Sequence, residues 1–393
     1  MTRRYDLAVV GGGIHGAGLA QAAAAAGHRV LLLEKSTIGA GTSSRSSKLI
    51  HGGLRYLESA QLRLVRESLH ERTLLLRNAP ELVRLVRFRV PLYRSTRRRS
   101  WQLLLGLSMY AALAGFRRGA NFGLIARRHW DELDGLELAH LKRVFWYHDA
   151  QTDDRALTAA VARSASGLGA EILCSAQFIR ADLHQEGVNI SYLHDGAEAE
   201  CAARVLVNAA GPWAREVQAR IAPAVPVPQV ELVQGAHVLV DVADPGGYYY
   251  VESPRDGRAV FVMPWQGRLL VGTTELRYRA SPDRVAPSVA EKHYLVKVLA
   301  HYFPRYRDLR VADLGGSFAG LRVLPCGSGH AFHRSRETHF ELDRPHSPRV
   351  LGIFGGKLTT YRATAASAMQ RIATSLPRRR AIARTDRLRL TPQ

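Results

Sequence analysis

Three glycines near the N-terminus have a spacing that brings the peptide backbone close to phosphate groups. Gly11, Gly13 and Gly16 form a G-x-G-x-x-G pattern directly after the apolar residues 5–10. In this pattern the first glycine permits a tight turn, the second lets the backbone approach a pyrophosphate, and the third allows a helix to pack closely on a strand. The start of that helix adds partial positive charge. The pattern therefore predicts a dinucleotide site.

The elements around these glycines complete a βαβ unit. Residues 5–10 are typical of a buried strand, Gly27 ends the predicted helix, and residues 29–33 form a second apolar strand. Glu34 follows that strand, eighteen residues after Gly16. A carboxylate at this point accepts hydrogen bonds from the ribose hydroxyls of a dinucleotide. The unit predicts a Rossmann-like α/β domain.

The segment after the second strand favours FAD over NAD. Residues 40–58 read AGTSSRSSKLIHGGLRYLE, which is small and polar at first and then basic and aromatic. A long loop of small polar residues suits an extended cofactor whose flavin ring lies far from its adenine. The candidate cofactor contacts in this loop are Thr42, Ser43, Ser44, Ser47, Lys48, Gly52 and Gly53.

Residues 42–58 resemble the signature of FAD-dependent glycerol-3-phosphate dehydrogenases and oxidases, within the D-amino-acid-oxidase-like superfamily. Further segments similar to this family follow in order at residues 147–155 (YHDAQTDDR), 205–213 (VLVNAAGPW), 261–275 (FVMPW to LLVGTTE) and 354–362 (FGGKLTTYR). Several motifs in one order are harder to meet by chance than a single motif. The resemblance implies FAD as cofactor, with further contacts at Ala210, Gly211, Trp213, Gly355, Gly356, Lys357, Leu358 and Thr359.

The sequence departs from the family pattern at two places. Bacterial dehydrogenases of the family carry a further helical C-terminal domain, whereas this sequence ends in an Arg-rich stretch soon after Arg362. Residues 320–325 read GLRVLP where the family usually has G-x-R-P. Because of the first difference, the resemblance says less about dimerisation and membrane docking through that domain. A flavin-binding scaffold without catalytic turnover is therefore an alternative to an enzyme.

The resemblance also implies a phosphorylated polyol substrate, which requires an anchor for its phosphate. Arginine suits this role because its planar guanidinium pairs with two phosphate oxygens at once. Arg55, Arg322 and Arg334 match positions at which family members contact substrate, and Tyr56 adds a hydroxyl donor. Thr273 follows a predicted strand and is expected to line the same pocket.

Oxidation of a secondary alcohol also needs a base for the hydroxyl proton. Histidine as a residue type can exchange a proton near neutral pH, so we expect His51 to act as base or proton relay. Its alternative role is a hydrogen bond or covalent tether to the flavin ring. Lys357 is predicted to open a helix after the strand at residues 350–354, where its ammonium stabilises the reduced flavin; an exposed structural lysine is the alternative. Arg322 completes the predicted catalytic set.

We predict an α/β fold: a discontinuous Rossmann-like FAD-binding domain and an α+β substrate domain with an antiparallel sheet. The predicted domain residues are 1–85, 150–225 and 340–375 for the FAD domain, 86–149 and 226–339 for the substrate domain, and 376–393 for a basic tail. Strand patterns at residues 234–240, 259–263 and 269–272 indicate the second sheet. The substrate is expected between the two domains.

Positive charge is concentrated in two regions of the chain. The formal net charge is +21, and only 6 of 55 basic residues are lysines, which indicates a coding bias towards arginine. Residues 82–130 nevertheless contain eleven arginines and no acid, and residues 371–393 contain seven arginines and one acid. The first region surrounds the apolar residues 101–116, fewer than the ~20 that a membrane-spanning helix needs. They predict a buried helix, with an interfacial helix on an anionic membrane as the alternative.

The leading hypothesis is oxidation of sn-glycerol 3-phosphate to dihydroxyacetone phosphate. A membrane quinone is the expected electron acceptor because the sequence shows no second glycine-rich site for NAD; oxygen is the alternative. An amine or amino-acid oxidase of the same superfamily would need a carboxylate anchor and fewer arginines. A flavoprotein acting on tRNA would suit the net charge, yet no RNA-binding module is recognisable, and no nucleic-acid partner is expected.

Cysteine content and the N-terminus bear on location. The three cysteines are widely spaced and form no disulfide framework or zinc motif, and no secretion signal precedes the first strand. We expect a cytoplasmic protein without a metal site, peripheral on the inner face of the cell membrane where its basic regions meet lipid. A homodimer is one expected assembly.

Overall fold

The structure is a computed structural model that describes residues 3–115, 119–326 and 338–392. Its strands are β1 (Arg3–Val10), β2 (Val30–Leu33), β3 (Leu49–Ile50), β4 (Val83–Tyr93), β5 (Phe122–Ile125), β6 (Leu141–Thr152), β7 (Glu171–Leu173), β8 (Ala176–His184), β9 (Gly187–His194), β10 (Ala197–Asn208), β11 (Ile221–Ala222), β12 (Val230–Asp241), β13 (Tyr248–Glu252), β14 (Ala259–Trp265), β15 (Arg268–Gly272), β16 (Leu276–Tyr278), β17 (Gly316–Pro325), β18 (His339–Leu342) and β19 (Val350–Phe354). Its α-helices are α1 (Ile14–Ala25), α2 (Leu62–Asn78), α3 (Ser100–Leu113), α4 (Asp154–Gly167), α5 (Ala214–Gln218), α6 (Val289–Tyr302) and α7 (Tyr361–Ile372).

The first sheet contains the N-terminal βαβ unit. Within the described residues it has nine strands, in the order β11-β8-β9-β10-β1-β2-β7, with β19 also paired to β10 and β18 to β19. The strands β1, β2, β7, β10 and β19 run parallel. Leu7 and Val9 pack against α1 and α7, whereas Ala8 and Val10 face the cluster formed with β8 and β9. Burial on both faces explains why residues 7–10 of β1 are all apolar.

The second sheet is mostly antiparallel. Within the described residues it has ten strands, in the order β16-β12-β15-β14-β13-β4-β6-β3, with β17 also paired to β12 and β5 to β6. Val238 and Val240 of β12 pack against Leu295 and Leu299 of α6. The other face of the sheet packs against α2, α3 and the loop at residues 49–57.

The predicted fold class is confirmed, and several predicted elements are found where the patterns indicated them. The strand at residues 350–354 has the predicted bounds. The helix expected to open at Lys357 begins instead at Tyr361. Gly355 and Gly356 have positive φ values of 82° and 92°, so the chain makes an irregular turn after the strand before the helix can start. The division into domains stays a prediction.

The apolar residues 101–116 were predicted to form a buried helix, and α3 is buried on one side only. Leu103, Leu107, Tyr110 and Ala111 are buried against the second sheet and α2. On the outer side Trp101, Leu104 and Leu105 are 60%, 48% and 54% exposed. No helix in the described ranges has both the length and the hydropathy to cross a bilayer.

The C-terminal segment, expected to be a basic tail, packs against the first sheet's helices. The amides of Ile382 and Ala383 donate to the carbonyl of Ala25 at 2.8 and 3.1 Å, at the end of α1. Further along, the Leu390 amide donates to the Asn78 carbonyl at 2.7 Å, at the end of α2. The Leu390 side chain is 3% exposed. Buried Leu390, these backbone hydrogen bonds, and the ion pairs of Arg379 with Asp6 and of Arg389 with Glu81 therefore hold the segment.

Candidate active site

The glycine turn after β1 has the geometry that a pyrophosphate requires. Gly11 has a φ of +108°, and a Cβ built on Gly16 would lie 1.8 Å from the Gly11 carbonyl oxygen. Neither position therefore accepts a side chain without a shift of the backbone. Gly13 precedes α1 and provides no side-chain cap; the start of a helix after such a glycine suits an anion.

Glu34 lies beside the same turn, at the end of β2. Its carboxylate accepts hydrogen bonds from the Gly12 amide at 2.6 Å and the Ser36 amide at 2.9 Å. One donor belongs to the glycine turn and the other follows β2. They fix the carboxylate where it was expected to meet ribose hydroxyls.

The loop at residues 42–48 connects the glycine turn with the second sheet. The Ser43 hydroxyl accepts a hydrogen bond from the Ile14 amide at 2.9 Å, and the Thr42 hydroxyl donates to the Leu321 carbonyl of β17 at 2.7 Å. Lys48 Nζ donates to the buried Asp154 carboxylate at 2.7 Å and to the Ser44 carbonyl at 2.6 Å. Burial raises the pKa of Asp154, while Lys48 opposes this shift. The ion pair holds the loop in one conformation.

A buried network that the sequence did not indicate holds Gly52. Its amide donates to Tyr110 Oη at 2.9 Å and to Asp149 Oδ1 at 3.0 Å. The same carboxylate accepts from Tyr110 at 2.8 Å and from Arg72 at 2.7 Å. A Cβ on Gly52 would lie 2.3 Å from Tyr110 Oη. The YHDAQTDDR motif contains Asp149, but its three partners come from distant segments.

The structure brings together three predicted site residues, Lys357, Tyr56 and His51. Lys357 Nζ lies 3.9 Å from the centroid of the Tyr56 ring, and the ring centroids of His51 and Tyr56 are 6.5 Å apart. The Thr359 hydroxyl is 3.5 Å from the His51 carbonyl oxygen. An ammonium over an aromatic face is attracted by the ring quadrupole, so Tyr56 helps to place the charge of Lys357.

Arg322 and Thr273 lie together on the face of the second sheet that turns towards the 42–48 loop. Arg322 is opposite Val233 in the pairing of β17 with β12. Its guanidinium donates to Glu275 Oε1 at 2.5 Å and to the Thr274 carbonyl at 3.0 Å. The Glu275 side chain is 5% exposed and that of Arg322 is 20% exposed. A nearly buried carboxylate therefore fixes the predicted substrate arginine.

His237 is a further site residue that the sequence did not indicate. It follows Gly235 on the same face of β12, its ring stacks on Phe318 with centroids 4.8 Å apart, and its Nε2 lies 2.9 Å from the Ser47 hydroxyl. Burial lowers the pKa of His237 to about 3, and the charges of Arg322 and Lys48 act in the same direction. The imidazole is therefore neutral at physiological pH. A lone histidine in a strand carries no sequence signal for this position.

Two other predicted cofactor segments border the glycine turn. The 3-10 helix Gly211–Trp213 brings Trp213 close to Gly41, where an added Cβ would lie 3.1 Å from the indole. After β19, a Cβ on Gly356 would lie 2.4 Å from His15 Nε2 of α1. Of the predicted substrate arginines, Arg334 and the side chain of Arg55 lie outside the described residues.

The comparisons with known proteins agree with this geometry. The sequence matches the DAO family, described as FAD dependent oxidoreductase, over residues 6–364. The chain belongs to this family. It is 39% identical to a glycerol-3-phosphate dehydrogenase of Pseudomonas aeruginosa, over 94% of this chain and 71% of that protein. It is 36% identical to D-erythritol 1-phosphate dehydrogenase of Brucella abortus, over 95% of this chain and 74% of that protein.

A solved structure gives the same result. The glycerol-3-phosphate dehydrogenase from Bacillus halodurans, complexed with FAD, superimposes with a TM-score of 0.77 at 26% identity, over 99% of this chain and 68% of that chain. The predicted family and cofactor are confirmed: the protein is an FAD-dependent oxidoreductase related to the glycerol-3-phosphate dehydrogenases.

Proposed function

We propose that the protein oxidises a phosphorylated polyol, with sn-glycerol 3-phosphate as substrate and dihydroxyacetone phosphate as product. The observation that carries this proposal is the group formed by Arg322, Thr273 and Glu275, on the face of the second sheet that turns towards the 42–48 loop. A guanidinium held in one orientation suits a phosphate, because its fork matches two phosphate oxygens. The relatives that act on sugar-alcohol phosphates support the same substrate class.

FAD is proposed to be held by residues from several segments of the chain. The glycine turn and Glu34 suit the adenosine and pyrophosphate, and the 42–48 loop continues towards the second sheet. The predicted contacts are Gly11, Gly13, Gly16, Glu34, Thr42, Ser43, Ser44, Ser47, Lys48, Gly52, Gly53, Ala210, Gly211, Trp213, Gly355, Gly356, Lys357, Leu358 and Thr359. The cofactor, when bound, supplies the acceptor for the substrate hydride.

The chain's own residues supply the other requirements of the reaction. His51 is proposed to accept the hydroxyl proton, and Lys357 to stabilise negative charge beside it. Tyr56 places the ammonium of Lys357 through its ring face. Arg322 and Thr273, with Arg55 and Arg334, are proposed to bind the substrate. His237 stays neutral, so it contributes a hydrogen-bonding group rather than charge.

A second substrate has a specific observation in its favour. The relative from Brucella abortus, at 36% identity, is named for D-erythritol 1-phosphate. This compound has one more hydroxylated carbon than glycerol 3-phosphate and the same phosphate group. Both substrates would use the same phosphate contacts and differ at the far end of the pocket.

The test is anaerobic reduction of the bound flavin, which is monitored by the loss of its absorption near 450 nm. We expect glycerol 3-phosphate or D-erythritol 1-phosphate to bleach the flavin, and the faster of the two identifies the substrate. Arg322→Ala should raise the substrate concentration for half-maximal reduction by roughly tenfold or more, because a charged hydrogen bond is lost. Arg268→Ala, an exposed arginine on the same sheet, is the matched control. Bleaching by an amino acid or amine alone would refute the proposal.

We further propose that electrons leave to a membrane quinone and that α3 rests on an anionic membrane surface. The outer side of α3 exposes Trp101, Leu104 and Leu105. Arg97 and Arg99, at the start of the helix, are exposed as well. Apolar side chains flanked by arginines suit an interfacial helix on anionic lipid.

A further inference from the structure

Gly235 lies directly beneath the predicted substrate contacts. It belongs to the extended strand β12, where any residue can adopt the backbone conformation. A Cβ at this position would lie 2.5 Å from Arg322 Nη2 and 2.6 Å from the Thr273 hydroxyl. The Arg322 guanidinium and the Thr273 hydroxyl therefore both approach the space that a side chain would fill at any residue other than glycine.

The neighbouring strand β17 also lacks a side chain at the position that pairs with Gly235. Gly235 pairs with Gly320 of β17, and a Cβ on Gly320 would lie 2.6 Å from the Arg45 carbonyl oxygen. Gly320 thus lets the 42–48 loop approach β17, and Gly235 lets Arg322 and Thr273 approach β12. The atoms affected differ: at Gly320 they belong to backbone, whereas at Gly235 the nearest is the end of a flexible side chain.

This difference decides what a methyl group would do at Gly235. A methyl group there would displace the Thr273 hydroxyl as well as the guanidinium of Arg322. The guanidinium is the end of a flexible side chain and can rotate away. Rotation would, however, break its hydrogen bonds to Glu275 and to the Thr274 carbonyl. Thr274 itself is fixed from behind, because its hydroxyl donates to Glu291 at 2.6 Å and accepts from the Ala236 amide at 2.8 Å. The side chains of Arg322 and Thr273 must therefore yield.

We infer that Gly235 is a positioning residue of the substrate site: its missing side chain, with Glu275, holds Arg322 beside Thr273 so that the two bind the phosphate group of the substrate. The inference rests on the proposed function for the identity of that group. Gly235 acts through Arg322 and touches no reacting atom.

The experiment measures binding of inorganic phosphate to the flavin-loaded protein by the perturbation of its flavin absorption spectrum. Gly235→Ala should raise the Kd for phosphate about tenfold or more, because a hydrogen bond to a charged group is lost. Flavin content and the melting temperature should stay as in the wild type. Gly106→Ala is the matched control, since a Cβ there meets no atom within 4 Å.

A double-mutant cycle separates positioning from general damage. In the Arg322→Ala background, Gly235→Ala should have a clearly smaller effect on phosphate binding, because only the displacement of the Thr273 hydroxyl remains. An equal Kd for Gly235→Ala and wild type, an undiminished effect in that background, or no phosphate binding to the wild type would overturn the inference. Failure of glycerol 3-phosphate to bleach the wild-type flavin is a separate result, which counts against the proposed function and leaves the phosphate comparison intact.

Discussion

The two arginine-rich regions look alike in the sequence and differ in the structure. In the C-terminal segment, arginines pair with acids or backbone: Arg379 with Asp6, Arg384 with Asp386, and Arg389 with Glu81. At the start of α3, Arg98 pairs with Glu252, whereas Arg97 and Arg99 are exposed beside an apolar face that points to solvent. The arginines of the two regions therefore have different roles. Those of the C-terminal segment help to attach it to the fold, and those before α3 border a surface open to a partner.

The first prediction tests whether the C-terminal segment is held by packing, as the comparison of the two regions requires. Leu390 is buried in one cluster with Leu75 and Ala79. Leu390→Ala should lower the free energy of unfolding by about 2–5 kcal/mol, since a buried leucine is truncated and a cavity remains. Thermal or urea unfolding measures the change. Ile382→Ala is the control in the same segment, because Ile382 is 61% exposed. Equal stabilities for the two variants would contradict a packed segment.

The second prediction concerns the α3 face. Serine in place of Trp101, Leu104 and Leu105 should abolish most binding to vesicles that contain phosphatidylglycerol, because the apolar contact with lipid is lost. Co-sedimentation at two salt concentrations measures it, and wild-type binding should weaken as salt screens the arginines.

A matched triple variant separates this face from exposed apolar surface in general. Leu138, Leu276 and Val289 are 45%, 46% and 64% exposed and lie outside α3. Their replacement by serine should leave vesicle binding unchanged. Equal losses in both triple variants, or wild-type binding that is indifferent to anionic lipid, would remove the distinction between the two arginine-rich regions.

Local patterns predicted much of the fold, because β1, α1 and β19 depend on neighbouring residues. The candidate site was harder to predict where it depends on distant pairing. Gly235 and Arg322 meet only through the register of β12 with β17, in which Val233 lies opposite Arg322. No single-residue property of Gly235 indicates this contact.

The same limit explains the C-terminal segment. Its arginines indicated a basic tail, and they gave no sign that its position depends on Leu390 and on a carbonyl of Asn78, far away in the sequence. The GGKLTTYR motif also predicted a helix that starts too early. Its motif context marked Lys357, but the positive φ values of Gly355 and Gly356 delay the helix.

The smallest predicted effect compares two ion pairs within the C-terminal segment. Arg379 reaches Asp6, whose side chain is 5% exposed and also accepts a hydrogen bond from the Arg29 amide at 2.9 Å. Arg384 pairs with Asp386, and both side chains are near the surface, at 66% and 31% exposure. Arg379→Gln should therefore cost more stability than Arg384→Gln, because it leaves a buried carboxylate without its cation.

Solvent screening of Arg379, which is itself 41% exposed, keeps this cost to about 1 kcal/mol, and Arg384→Gln should fall within about 0.5 kcal/mol of the wild type. Urea unfolding at neutral pH and at two salt concentrations measures both values. Salt should reduce any contribution from the Arg384 pair more than that from the Arg379 pair, because a buried partner is screened less. A larger loss for Arg384→Gln would mean that charge in this segment acts through the surface field, as in the region around α3, and not through contacts with the fold.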